Sequence, residues 1–289
     1  MILVTGISGL TGKFLYKEIK ENLPSVSIRY FVRQTSDISW MDKNENVVYG
    51  NLLNSKDMDE AIKGIEIVLH LAPRHNLHNI LDCCLNSSVK RLIYVNSTGI
   101  YSKFKRSNHA DLLNEKFLKN SDLIYTIIRP TMIYGNEQDG NISLLTKLMN
   151  KLLFFPILGD GKGLMHPIYA GDLAKVIVNT LKNEKLTRFK EYNVAGKSPV
   201  SYKNLLLQIS KALGKRVVFI KVPYKIALFA GKIGDRIPNR FITHEKVLRL
   251  IEDKTFDYSD AQKDLDFNPI SFEEGIHNEV TELRKKGII

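Results

Sequence analysis

Cysteine is nearly absent: Cys83 and Cys84, adjacent in sequence, are the two in the chain. Neighbouring cysteines seldom bridge without strain and no others remain to pair with. A disulfide framework and a thiolate metal site are therefore excluded, and the pair reads as helix-packing residues. Long apolar runs are missing too. No stretch reaches the roughly 20 residues that a bilayer span requires, and no charged leader precedes the first strand, so a secretory signal is not expected and a cytoplasmic location is. Acidic residues are the scarcer charge, 31 Asp and Glu against 42 Lys and Arg, for a formal net charge of +11. The lysines are spread over helix faces and loops, so the surplus reads as a solvated surface rather than a nucleic-acid patch. What remains, 289 residues of which 44% are hydrophobic, is enough for one large α/β unit with an ample core.

The stretch that organises the chain is its first, MILVTGISGLTGKF, residues 1–14. An apolar run, Met1 to Val4, meets three glycines, Gly6, Gly9 and Gly12, and then a helical pattern with Leu10, Phe14, Leu15 and Ile19 on one face. Strand, glycine turn and helix in this order bring the N–H groups of a helix N-terminus to the carboxyl end of a strand, where a phosphate is favoured. Gly6 makes the tight turn, Gly9 lets a pyrophosphate approach the backbone, and Gly12 brings the helix close to the sheet, with Ser8 and Thr11 as hydroxyl donors and Leu10 beside the ligand.

Further along, apolar strands alternate with helices. Strands are expected at 25–32, 46–49, 65–71, 91–96, 124–129, 191–195 and 217–222. Helices are expected at 55–63, 75–88, 110–119, 142–152, 171–182, 202–213, 224–233 and 272–286, with a glycine-rich loop over 156–174. The rhythm implies an α/β fold: a Rossmann-like doubly wound parallel sheet with a smaller C-terminal α/β substrate lobe. Residues 1–165 would form the dinucleotide-binding domain, and 166–289 would return to its sheet and build the lobe. The apolar helix at 224–233 could line a lid, pack in the core or touch a membrane surface, with core or lid packing favoured. Arg33 ends the second strand about 20 residues past the glycines. There an acidic residue would bind a ribose 2′-OH and an arginine a 2′-phosphate. NADP(H) is expected, with NAD kept possible by Asp37. Asn51 and Leu52 would turn beneath the adenine, and His70, inside an apolar run, reads as a core histidine.

Five ordered motifs carry a resemblance: TGISGLTG (5–12), NSTGIY (96–101), RPTMIYG (129–135), IYAGDLA (168–174) and FDYSDAQKDLDFNP (256–269). Together they make the chain similar to the extended short-chain dehydrogenase/reductases, the group of NAD-dependent epimerases and dehydratases. The resemblance implies a dinucleotide running past Leu71, Ala72, Pro73 and Pro130, and a catalytic Ser or Thr, Tyr and Lys, the last two spaced YxxxK. Ser97 aligns with the first, and Thr98 is next to it. If Glu115 is the acid that usually lies four residues after the lysine, then Asp111 stands at the lysine position and Ser107 at the tyrosine position. The YxxxK pair is thus lacking. Tyr101 could serve as proton donor instead, with Lys103 or Lys105 as its cation, or His109 could act. Tyr134, His166 and Arg249 are expected at the substrate. The arginine that precedes the IYAGDLA helix in nucleotide-sugar members is replaced by Met165.

The expected function is that of an NADP(H)-binding reductase or epimerase-like enzyme acting on a nucleotide-linked sugar or similar small polar substrate, in surface polysaccharide synthesis. The alternative is a non-catalytic dinucleotide-binding sensor or assembly subunit. The resemblance also implies a homodimer through the helices at 75–88 and 110–119.

Overall fold

In a computed structural model that describes residues 1–289 apart from 73–76, 106–107 and 238–242, the opening apolar run is β1 (Ile2–Thr5), with all four side chains buried. A strand covered on both faces needs such a run. The chain continues through α1 (Gly12–Asn22), β2 (Ile28–Val32), β3 (Asn46–Tyr49), α2 (Ser55–Ala61), β4 (Ile67–His70), α3 (Leu77–Leu85), β5 (Arg91–Val95), a 3₁₀ turn (Thr98–Tyr101), α4 (Asn108–Lys119) and β6 (Ile124–Pro130). It then forms β7 (Ile133–Tyr134), α5 (Ile142–Lys151), β8 (Phe154–Leu158), β9 (Leu164–Met165), β10 (Ile168–Tyr169), α6 (Ala170–Lys182), α7 (Glu184–Thr187) and β11 (Lys190–Val194). Last come β12 (Val200–Ser201), α8 (Tyr202–Leu213), β13 (Val218–Val222), α9 (Tyr224–Gly234), α10 (His244–Ile251), α11 (Ser259–Leu265) and α12 (Phe272–Lys285).

Seven strands form one sheet in the order β11-β6-β5-β4-β1-β2-β3, and every pairing in it is parallel. The strand order reverses between β1 and β4, which opens a crevice at their carboxyl ends. One face of the sheet packs α1 and α6 through Leu15, Ile19, Leu173 and Ile177. The other packs α2, α3 and α4 through Met58, Ile80, Leu81 and Leu118. The Rossmann-like fold expected from the sequence is thus present.

The glycine-rich stretch 156–174 is not a bare loop: it carries most of β8 and all of β9 and β10, paired with β13, β12 and β7 respectively. Two-residue bridges are too short to show a hydrophobic period. The core of the smaller lobe takes Ile142, Met149, Phe155, Ile157 and Met165 from before residue 166, while β11 goes back to the main sheet. The division at 165/166 therefore cuts through the lobe, because the chain crosses between the two layers more than once.

Candidate functional site

The glycine turn is two successive backbone bends, Gly9 N to Gly6 O at 3.0 Å and Gly12 N to Gly9 O at 2.9 Å. Gly6 has φ +83, and a Cβ there would lie 2.5 Å from the Ala72 nitrogen. At Gly12 a Cβ would fall 1.5 Å from the Ile7 carbonyl oxygen, so this glycine seats the helix on its own turn rather than on the sheet. A Cβ on Gly9 would meet only Gly6 O, at 3.2 Å, and otherwise enters open space. The side chain of Thr11 makes no hydrogen bond to the first turn of α1, which suits a helix end meant for an anion. Ser8 Oγ donates to Ser36 Oγ at 3.2 Å and ties the turn to the loop after β2.

Beyond the turn opens a cavity of about 1050 Å³, large by the roughly 300–1,000 Å³ standard of small-molecule sites. Leu10, Ser97, Thr98 and Pro130 line its sheet side, and Lys246, Arg249, Leu250 and Lys254 its far side. Ser97 Oγ accepts from Gly99 N at 3.0 Å, so its proton remains for a ligand. The hydroxyl of Thr98 is spent on Pro130 O at 3.3 Å. Tyr101 is 49% exposed and donates to Asn193 Oδ1 at 3.4 Å. Its ring lies 5.8 Å from the Arg129 guanidinium carbon. Arg129 is buried and held by Glu115 and Glu191. Burial opposes its charge, and the hydrogen bonds and field of those two carboxylates more than offset this and raise its pKa. Glu115 also accepts from Asn96 Nδ2 at 2.6 Å.

The two candidate lysines have different fates. Lys103 is exposed on the cavity wall, whereas Lys105 is buried and paired with Asp111 at 2.5 Å. A strap after α10 closes the cavity's far side. Glu252 accepts from Ser102 Oγ and from Lys103 N, each at 2.7 Å. Asp253 takes Leu164 N at 2.9 Å, and Phe256 N donates to His166 Nδ1 at 3.3 Å. Burial pulls the Lys254 ammonium down to about 8, assisted by the positive field of Arg249. Among the described residues, Asn96 Oδ1 and Thr131 Oγ1 are buried without a hydrogen-bond partner, and both residues line this cavity. With the open space over Gly9, these are the features that a bound dinucleotide would fill.

The sequence profile described as NAD(P)H-binding matches residues 6–184, more than half of the chain and the whole of the turn. The protein belongs to this NAD(P)H-binding family. The relatives it resembles include epimerases and oxidoreductases. It is 23% identical over 269 residues to N-acetyl-alpha-D-glucosaminyl-diphospho-ditrans,octacis-undecaprenol 4-epimerase of Escherichia coli O157:H7, covering 81% of this chain and 78% of that one. It is 23% identical over 274 residues to UDP-glucose 4-epimerase of Vibrio cholerae, covering 80% and 81%. In fold it superposes on UDP-glucuronic acid 4-epimerase from Bacillus cereus, solved with UDP-glucuronic acid and NAD, with TM-score 0.78 and 18% identity over 99% of each chain.

Of the expected cofactor residues, Arg33, Asn51 and Leu71 come just after the carboxyl ends of β2, β3 and β4. Arg33 is exposed immediately past β2. Asp37 is engaged by Ser39, through Oγ at 2.7 Å and N at 3.0 Å, which keeps its carboxyl below the usual range. Asn51 N donates to Asp57 Oδ2 at 2.8 Å, the Leu52 carbonyl accepts from Asn79 at 3.4 Å, and Leu71 N donates to Thr5 O at 3.0 Å. Pro73 and Ser107 lie outside the described residues. His70 is fully buried with Nδ1 2.7 Å from Thr5 Oγ1, as a core histidine should be.

The substrate residues fare unevenly. Tyr134 is not on the cavity: it is buried in the lobe's core against Phe272, its ring 5.2 Å away. Burial pushes its hydroxyl far above the ordinary tyrosine range. It fills the space over Gly275, where a Cβ would lie 1.9 Å from the Tyr134 oxygen. His166 lines the cavity, yet Nε2 donates to Gly196 O at 2.7 Å and Nδ1 accepts from Phe256. Burial lowers its pKa, so it acts as a neutral anchor for the strap. Arg249 does face the cavity, 3.8 Å from Glu245, while His109 is exposed on α4. Sequence reasoning missed Lys246, Glu252 and Lys254. The amphipathic spacing of Val247, Leu250 and Ile251 could have revealed α10, though not where it docks.

Proposed function

We propose that the protein is an NADP(H)-dependent enzyme, an epimerase or reductase, acting on a diphosphate-linked sugar in surface polysaccharide synthesis. The observation that carries this reading is one cavity lined by Ser97 and Tyr101 together with Lys246, Arg249 and Lys254, next to the glycine turn. The hydroxyls suit a sugar carbonyl or alcohol, and the cations suit phosphate oxygens. The relative that acts on a diphospho-undecaprenol sugar supports the polysaccharide role, and the UDP-glucose epimerase supports a nucleotide carrier.

When bound, the nicotinamide supplies or accepts the hydride. Ser97 Oγ donates a hydrogen bond to the substrate oxygen, and Tyr101 gives that oxygen a proton or removes one. The Arg129 guanidinium stacks against the Tyr101 ring and fixes its place on the cavity wall, which Lys103 also lines. Arg33, which has no acidic partner among the described residues, would hold a 2′-phosphate, which favours NADP(H) over NAD(H).

Turnover of UDP-sugars and 4-keto sugars with NADPH or NADH tests the reading. Tyr101→Phe is expected to lower kcat by about 10²- to 10⁴-fold with little change in dinucleotide affinity. No turnover of any such substrate, or full activity in Tyr101→Phe, would contradict it. One observation favours a second reading, a dinucleotide-binding sensor: the carboxylate of Asp111 occupies the expected lysine position and is neutralised by Lys105. That reading expects dinucleotide affinity without hydride transfer. A homodimer through α3 and α4 is supported by exposed Leu85, Leu112, Leu113 and Phe117, and sedimentation velocity of the Phe117→Glu variant checks it.

A further inference from the structure

The helix α9 is built the wrong way round for a core helix. Its buried positions are Gly231 and Gly234, and a Cβ on Gly231 would lie 2.9 Å from the His244 backbone, so α9 meets the start of α10 at the closest approach backbones allow. Its large apolar side chains point the other way. Ile226 is 58% exposed, Phe229 66% and Ile233 45%, and their spacing puts them on one stripe of the helix. The core or lid packing expected of this helix is therefore not what it has.

The strand before α9 behaves alike. In the β8–β13 pair, Phe154 is opposite Val218 and Pro156 opposite Ile220, and all four are exposed. Leu153, just ahead of β8, is 68% exposed. Alternation puts these four on one face of the two-stranded sheet, while Phe155 and Ile157 on the other face enter the core. Scattered exposed apolar residues are ordinary, but a stripe and a sheet face in neighbouring elements mark an interaction surface.

The charge around it chooses the occupant. No Asp or Glu occurs between Glu191 and Asp235. In that interval and just past it, Lys215, Arg216, Lys221, Lys225, Lys232 and Arg236 are all exposed. An apolar stripe flanked by basic residues has the chemistry of an interfacial helix, whose side chains enter the acyl boundary while the lysines meet phosphate headgroups. No helix among the described residues is long and apolar enough to cross a membrane, so attachment would be to one surface. We propose that α9 and the outer face of β8–β13 dock this protein on an anionic phospholipid bilayer. α10, held against the glycine face of α9, is also a wall of the cavity, so docking would bring the substrate site close to the membrane plane.

Co-sedimentation of the full chain with vesicles tests the proposal, using phosphatidylcholine alone or phosphatidylcholine containing phosphatidylglycerol. Binding is expected with the anionic vesicles, weakening as salt rises. It should fall about tenfold or more in Phe229→Glu/Ile233→Glu and several-fold in Lys225→Glu/Lys232→Glu. Dinucleotide affinity and sedimentation coefficient should stay unchanged in both variants, which separates failure of docking from failure of the proposed activity. Equal binding to both vesicles, no binding to either, or a dimer that the α9 substitutions dissociate would overturn it.

Discussion

On the sheet side of the cavity the surface offered to a ligand is backbone, shaped by Gly6, Gly9 and Gly12, whereas on the α10 side it is charged side chain. The first wall is assembled within a few residues of chain. The second is joined to the chemistry by contacts such as Ser102 with Glu252, 150 residues apart in sequence. A backbone site depends on where a Cβ cannot go, which is a local property and leaves its mark as glycines. A side-chain site depends on tertiary docking and leaves no such mark.

Alanine at Gly12 presses hardest on this comparison. Its Cβ would overlap the Ile7 carbonyl, a backbone atom that cannot turn aside, so Gly12→Ala should lose on the order of 4 kcal/mol of stability or fail to fold. Gly9→Ala should keep the fold and lose dinucleotide affinity instead. Thermal unfolding of the two variants side by side checks this, and equal melting temperatures would erase the distinction between turn-building and ligand-facing glycines.

Next in size is the buried support beneath Tyr101. Glu115→Ala removes the carboxylate that Arg129 and Asn96 share, and stranding that guanidinium should cost about 3–5 kcal/mol in urea unfolding. A loss below about 1 kcal/mol, the range of an exposed pair, would mean that Glu191 alone holds Arg129.

The smaller lobe should respond to pH where the dinucleotide wall does not. Burial, with Asp139 nearby, pushes the Glu279 carboxyl up to about 8. The folded protein therefore holds a proton that the unfolded chain releases at ordinary carboxylate pH, and stability is greatest in acid. This contribution should decline as pH rises from about 4.5 through 8, by up to about 5 kcal/mol, and level off above. Denaturant melts of Glu279→Gln should lose that slope, and an unchanged slope would assign it elsewhere. The smallest effect expected is at the exposed Arg33: Arg33→Ala should weaken NADPH about tenfold, near 1.4 kcal/mol, and leave NADH unchanged. Equal weakening of both would remove the 2′-phosphate role.

Legibility followed the same division. β3 and α8 begin and end at the residues the pattern gives, because their periodicity is local and their flanks carry turn residues or, at α8, a Ser201 N-cap and the left-handed Gly214. Ser97 is legible from the NSTGIY motif and lines the cavity, whereas Arg249, which also lines it, lies in no such motif. Tyr134 was misread, since a motif tyrosine beside a loop gives no warning that Gly275 of α12 leaves a hollow for its hydroxyl. α9 was misread for a related reason. An apolar helix looks like core until its glycines prove to be the face that packs.

Calorimetric titration of the folded chain with NADPH and with NADH tests the central claim most directly. The account predicts a saturable heat for both at micromolar concentration or below, with NADPH tighter. No heat from either, in protein that still unfolds cooperatively, would contradict it.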